Sequence, residues 1–110
     1  MTPSLWIVFF YEDSDEVAAD GTPAIERVVA EYRKQPFQMF IRGYTDRTGP
    51  PAYDLQLSQR RAEIVAGALA RLGVSRSDMV VSGRGENDNR VPTAPGVPEP
   101  QNRRVEITLE

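Results

Sequence analysis

Arg61 does not fit its surroundings. With about 100° of rotation per residue, Leu57, Ile64, Val65, Ala68, Leu69 and Leu72 span an apolar helical arc from roughly −20° to +120°. On the same wheel Arg61 falls at about 40°, inside that arc, while Arg60, Glu63 and Arg71 fall outside it. A guanidinium keeps its proton, so on an apolar face it needs a carboxylate or a route to water. One turn beyond Leu57, Arg61 stands at the early end of the helix, towards a polar, Gly/Pro-punctuated loop over residues 44–51 that contains Asp46. Two outcomes follow from these charges. Either they form an internal ion pair that pins loop to helix, or they flank a cleft at a strand end. Such a cleft would bind a ligand with both amine and carboxylate, a zwitterion, and α/β sheets commonly place sites in loops at strand ends.

The rest of the chemical inventory is narrow. The 110 residues include no Cys and no His. This removes disulfides, thiolate nucleophiles, thiol or imidazole metal sites and every triad with a histidine base. Gly83-Arg84-Gly85 lacks the third glycine and the strand-to-helix setting of a dinucleotide loop. The acidic run Glu12-Asp13-Ser14-Asp15-Glu16 lacks the ligand spacing and glycine of a calcium loop. No metal and no cofactor is expected. The same acids would be the raw material for a two-carboxylate glycosidase, but a charge run after a strand reads as a solvated loop. The chain is therefore read as a binding module and not an enzyme. With 13 basic against 16 acidic residues, and Lys34 the one lysine, it has no basic footprint for nucleic acid. No apolar run approaches the roughly 20 residues of a membrane span, and residues 5–11 are too short, with the wrong flanks, for a signal peptide.

The pair must be positioned by ordinary elements. Leu5-Trp6-Ile7-Val8-Phe9-Phe10-Tyr11 is a continuous β-branched and aromatic run, the pattern of a strand covered on both faces. Thr22-Pro23 reads as the N-cap and first residue of a helix. Ile25, Val28, Val29 and Tyr32 give that helix one apolar face, to about Lys34. Phe37, Met39 and Ile41 alternate with Gln38 and Arg42 in a second strand that stops at Gly43. Residues 52–72 form the second helix, ended by Gly73. Met79-Val80-Val81 is a third strand, and Val105, Ile107 and Leu109 alternate with Glu106 and Thr108 in a fourth. The order is βαβαββ, an α/β (α+β) two-layer sandwich with helices on one face of a mixed four-stranded sheet, its first βαβ unit parallel and right-handed. Residues 1–110 make one domain. The connection over 86–102, with Pro92, Pro95, Pro98 and Pro100, shows no anchors and is read as mobile.

Several motifs are similar to those of one family. Residues Ile41 to Gly49, with Gly43-Tyr44-Thr45-Asp46 and Gly49, resemble the "GHTDxxG" loop of the OmpA-like C-terminal domain. Asp54 to Val65, with Leu57-Ser58 and Arg61-Ala62, resembles its helix signature "NxxLSxxRAxxV". Gly83-Arg84-Gly85-Glu86 is similar to its "GxGE" strand end, Asn102-Arg103-Arg104-Val105-Glu106-Ile107 to its closing "NRRVEI", and residues 8–15 weakly to its opening "FDFDS". The resemblance covers nearly the whole chain, in order. It implies non-covalent binding of the peptidoglycan stem peptide, chiefly its diaminopimelate residue, so as to anchor an envelope protein to the wall. It places the domain in the periplasm of a diderm bacterium, tethered to the outer membrane or an envelope complex through a region N-terminal to it. Asp46 then takes the ligand's ammonium and Arg61 its carboxylate. Thr48 and Gly49 shape the loop, Arg104 is a further carboxylate contact, and Arg103 reads as a solvated surface charge.

The departures from the family pattern also make expectations. The loop histidine is Tyr44, so nothing in the loop titrates as an imidazole. The usual aspartate at the end of the first strand is Tyr11, which removes one ammonium-facing carboxylate from that position. The asparagine that opens the helix signature is Asp54. Beside a carboxylate-binding position it weakens binding, favours an amidated stem peptide, or caps the helix, and all three stay open. Pro98 and Pro100 exclude a regular helix just before the closing motif. The competing function is the same fold serving as a protein–protein interaction module with weakened or lost wall binding; a homodimer or an envelope-protein partner is compatible with either.

Overall fold

The computed structural model describes residues 5–11, 14, 17 and 21–109. Glu12, Asp13, Asp15 and Glu16, expected to form a solvated loop, lie outside the described residues. The elements are β1 (Leu5–Phe9), α1 (Gly21–Lys34), β2 (Met39–Gly43), α2 (Pro51–Arg71), β3 (Met79–Gly83) and β4 (Arg104–Leu109). Short 3₁₀ turns stand at Arg76–Asp78 and Pro100–Asn102. The sheet order is β1-β4-β2-β3. β4 runs antiparallel to both neighbours, with Val8 opposite Val105 on one side and Ile41 opposite Ile107 on the other. β2 and β3 pair in parallel across α2, Gly43 facing Gly83.

Both helices cover one face of the sheet. Trp6, Val8, Met39, Ile41, Val105 and Ile107 point into that layer and meet Ile25, Val28 and Val29 of α1 and Val65, Ala66 and Leu69 of α2. Each large side chain buried there contributes about 1.5–3 kcal/mol. The Tyr32 hydroxyl donates to Asp78, which ties α1 to the turn before β3.

Four local expectations change. β1 is an edge strand covered on one face only: Trp6 and Val8 are buried, Ile7 and Phe9 half-buried and Leu5 46% exposed. The strand also ends at Phe9, and Phe10 makes an isolated bridge to Val17. In the first βαβ unit β1 and β2 point the same way but do not pair, because β4 lies between them. α1 begins at Gly21, one residue before the expected cap at Thr22. A Cβ on Gly21 would stand 2.1 Å from the Val17 Cγ1 and 2.9 Å from that of Val8, so the chain enters this helix pressed against β1.

The 86–102 connection, read from sequence as mobile, carries specific anchors. The Arg47 Nη1 donates to the Thr93 carbonyl at 2.9 Å and the Gly96 N–H to the Arg47 carbonyl at 2.6 Å. The wholly buried Asn102 exchanges two hydrogen bonds, of 2.8 and 2.7 Å, with the backbone of Val91. The Asn89 amide donates to the Thr45 carbonyl at 3.2 Å. Apart from the Arg47 guanidinium, these bonds use backbone groups and amide side chains, which carry no periodic signature in sequence.

Candidate functional site

The end of β2, the first three turns of α2, the turn after β3 and the approach to β4 converge at one end of the sheet. Gly43 allows this, because its hydrogen faces the Ser58 carbonyl where a Cβ would come within 1.9 Å. The Ser58 hydroxyl donates to the Leu55 carbonyl at 2.7 Å and accepts the Gly85 N–H at 2.8 Å, which locks α2 to the turn after β3. Gly85 sits in the left-handed region, at φ 60°. Between the 44–51 loop and α2 lies a cavity of about 320 Å³ lined by Asp46, Thr48, Gly49, Asp54 and Arg61, together with Pro50, Tyr53 and Leu57.

Asp46 and Arg61 thus share a cavity, but each is held by other groups. Asp46 is 2% exposed. Its Oδ1 accepts the Thr48 hydroxyl at 2.6 Å and the Thr48 N–H at 3.4 Å. Its Oδ2 accepts the Arg103 Nη1 at 2.9 Å and the Glu99 N–H at 3.2 Å. Burial alone would raise its pKa; the bonds from Thr48, Arg103 and the Glu99 backbone outweigh burial and hold the carboxyl below its ordinary value.

Arg61 is wholly buried and, among the described residues, is the largest in that state. Its Nε, Nη1 and Nη2 donate to the carbonyls of Ser14, Tyr44 and Tyr11 at 2.8, 3.1 and 3.0 Å. The Phe10 ring centroid stands 5.3 Å from its Cζ. The guanidinium therefore gathers three segments of chain at the end of the sheet while lining the cavity.

The other expected residues divide. Thr48, Gly49 and Asp54 line the cavity. The Tyr11 side chain is 48% exposed, and its backbone carbonyl is what meets Arg61. Arg104 is buried but does not line the cavity; it bonds the Glu106 carboxylate at 2.7 Å and the Asp88 carbonyl at 3.1 Å, over the Tyr44 ring at 3.9 Å. Arg103, expected as a solvated charge, is instead the partner of Asp46, with only 12% of its side chain exposed. Continuing the inward alternation of Ile107 and Val105 back by two residues puts Arg103 on the helix-covered side, a signal present in the sequence.

The signature of the OmpA family matches residues 9–103. The chain belongs to the OmpA family. It is 38% identical to an outer membrane protein of Gluconacetobacter diazotrophicus over 94% of this chain and 29% of that protein. It is 32% identical to the peptidoglycan-associated lipoprotein of Legionella pneumophila, covering 94% of this chain and 58% of the relative. Among solved structures, the peptidoglycan-associated lipoprotein from Burkholderia pseudomallei superposes with a TM-score of 0.87 at 28% identity, covering 96% of this chain and 90% of that one. The chain thus spans less than two thirds of the length of either of these two sequence relatives.

Within this OmpA-family chain Asp54 is unlike an ordinary helix cap. The cap position of α2 is Pro50, with no side-chain cap bond, and Asp54 is the fourth helical residue. Its side chain is buried and faces the Glu86 carboxyl within hydrogen-bonding reach, while Oδ2 meets no N–H or O–H donor among the described residues. Two ionised carboxylates have no proton to share. Burial first, then Glu86 and Asp46, raise the Asp54 carboxyl to about 6, opposed by the Gly49 N–H. Glu86, legible in the sequence only as the last residue of the strand-end motif, also meets the Arg47 Nε at 3.4 Å.

An unfolded aspartate titrates near 4. Between about pH 4 and 6 Asp54 therefore binds more proton in the folded state than in the unfolded chain, and its contribution to stability falls as pH rises through that window. Asp54→Asn supplies an N–H donor in place of the missing proton. It is expected to raise unfolding free energy by about 1–2 kcal/mol at pH 7.5, with the gain fading towards pH 4. Urea unfolding at both pH values measures this.

Proposed function

We propose that the cavity between the 44–51 loop and α2 binds the peptidoglycan stem peptide through a zwitterionic group of its diaminopimelate residue, anchoring a longer periplasmic envelope protein to the cell wall. The observation that carries this reading is the shared cavity: an ionised Asp46 and the always-charged Arg61 line one space of about 320 Å³. Family membership and the name of the Legionella relative support the choice of polymer. The ligand's ammonium approaches Asp46 on the side of Thr48, an exposed residue whose hydroxyl can rotate away. Its carboxylate approaches Arg61, where a charge-assisted bond away from water is strong. Binding of this kind forms and breaks no covalent bond.

One observation favours a second reading, a protein-interaction module. Asp46 already accepts from Thr48, Arg103 and Glu99, so an incoming ammonium competes with internal donors. Co-sedimentation with purified sacculi separates the two readings. The wild-type chain is expected in the pellet. Asp46→Asn, which keeps the side-chain shape, is expected to weaken pelleting at least about tenfold while circular dichroism stays native. Wild-type protein left in the supernatant overturns wall binding and favours a protein partner.

A further inference from the structure

Asp54 Oδ2 is a buried acceptor that meets no N–H or O–H donor among the described residues; its polar neighbour is another carboxyl, that of Glu86. The residue is 3% exposed and lines the same cavity as Asp46 and Arg61. Asp54 and Arg61 are seven residues apart on α2, two turns and about 10 Å along one face. A ligand held by Arg61 and Asp46 can therefore extend along the helix to Asp54. Glu86, from the turn after β3, does not line the cavity but stands beside Asp54 and adds to the negative charge there. Arg47, the cation nearest Glu86 in the hydrogen-bond network, has its guanidinium engaged with Glu86 and the Thr93 carbonyl, and it does not line the cavity.

We infer that Asp54 is a specificity-determining residue, and that it makes the cavity select ligands offering an N–H donor at that position, a primary carboxamide, over ligands offering a free carboxylate. The inference rests on the stem-peptide reading above and names the ligand class within it. A carboxamide gives the orphan oxygen its missing donor and adds no charge. A carboxylate brings a further negative group against Asp54, whose charge Glu86 already reinforces from behind, has no proton to give, and leaves Oδ2 unsatisfied. The two ligands differ by one atom, so shape does not distinguish them, and the donor pattern does.

Isothermal titration at pH 7.5 tests this with two probes. One is the diaminopimelate-containing stem tripeptide with its side-chain carboxyl free, and the other is the same peptide with that carboxyl as a primary amide. The wild-type chain is expected to bind the amidated peptide at least about tenfold more tightly. Asp54→Asn, whose side chain both donates and accepts, is expected to bring the two affinities within about threefold. Equal wild-type affinities, a preference for the free carboxylate, or a preference unchanged in Asp54→Asn overturns the inference and leaves stem-peptide binding standing. Failure of the wild-type chain to bind either peptide overturns both.

Discussion

Replacing Arg61 with methionine is expected to cost the fold about 3 kcal/mol and to abolish wall binding. Methionine fills much of the same volume, so the loss measures the guanidinium. Three carbonyls, those of Tyr11, Ser14 and Tyr44, lose their donor at once. Each bond from a charged donor is worth about 1.5–3 kcal/mol, and part of that sum is offset because a buried cation no longer has to be desolvated. Melting should fall by roughly 10 °C or more. Arg61→Lys separates the two roles. An ammonium keeps the charge and reaches some of the carbonyls but lacks the planar fork. Stability is expected to recover in part while sacculus pelleting does not. Full recovery of pelleting in Arg61→Lys would show that charge alone, without the fork, suffices for the ligand. Thermal unfolding and co-sedimentation, run on the same preparations, provide both readouts.

Arg61 was legible because helical periodicity is local: a charged residue inside an apolar arc stands out in any window that contains the arc. Its partners were not legible. Backbone carbonyls have no residue type to read, and those of Tyr11 and Ser14 come from the far end of the chain, 50 and 47 positions away. An internal ion pair does form at Asp46, but with Arg103 and not with Arg61. Arg103 takes that place across 57 positions because β4 inserts beside β2 and carries its preceding residue to the loop. Insertion of β4 at the centre of the sheet also makes β1 an edge strand. The uniform apolar run of residues 5–11 conceals this, since strand order leaves no mark on composition. The helices, the β2–β3 unit and the mixed sheet were readable from period and punctuation. Asp54 was readable as a departure from the family motif, but its orphan oxygen and the neighbouring Glu86 depend on a turn that only the folded chain brings in.

Gly43 carries the other large effect, and it acts through the approach of α2 to the sheet. In the β2–β3 register Gly43 faces Gly83, and both lie under Ser58. A Cβ at Gly43 would stand 1.9 Å from the Ser58 carbonyl oxygen, 2.9 Å from its carbon and 3.3 Å from the Ala62 nitrogen. These are backbone atoms inside a helix, so no rotamer change relieves the clash, and α2 itself must retreat. Gly43→Ala is expected to destabilise by about 3 kcal/mol, at the upper end of overpacking. It should also impair binding well beyond that cost, because Asp54 and Arg61 ride on α2 while Asp46 stays on the loop from β2. Gly67→Ala, on the same helix, is the contrast. There the nearest atoms to a new Cβ are the Arg71 Nη1 at 3.6 Å and the Arg76 Nη2 at 3.8 Å, both ends of flexible side chains. Removing a glycine from a helix interior is expected to stabilise by about 0.5–1 kcal/mol and to leave sacculus binding unchanged. If Gly43→Ala unfolds at the wild-type denaturant midpoint, the close packing of Ser58 on β2 is not what sets the distance between helix and sheet.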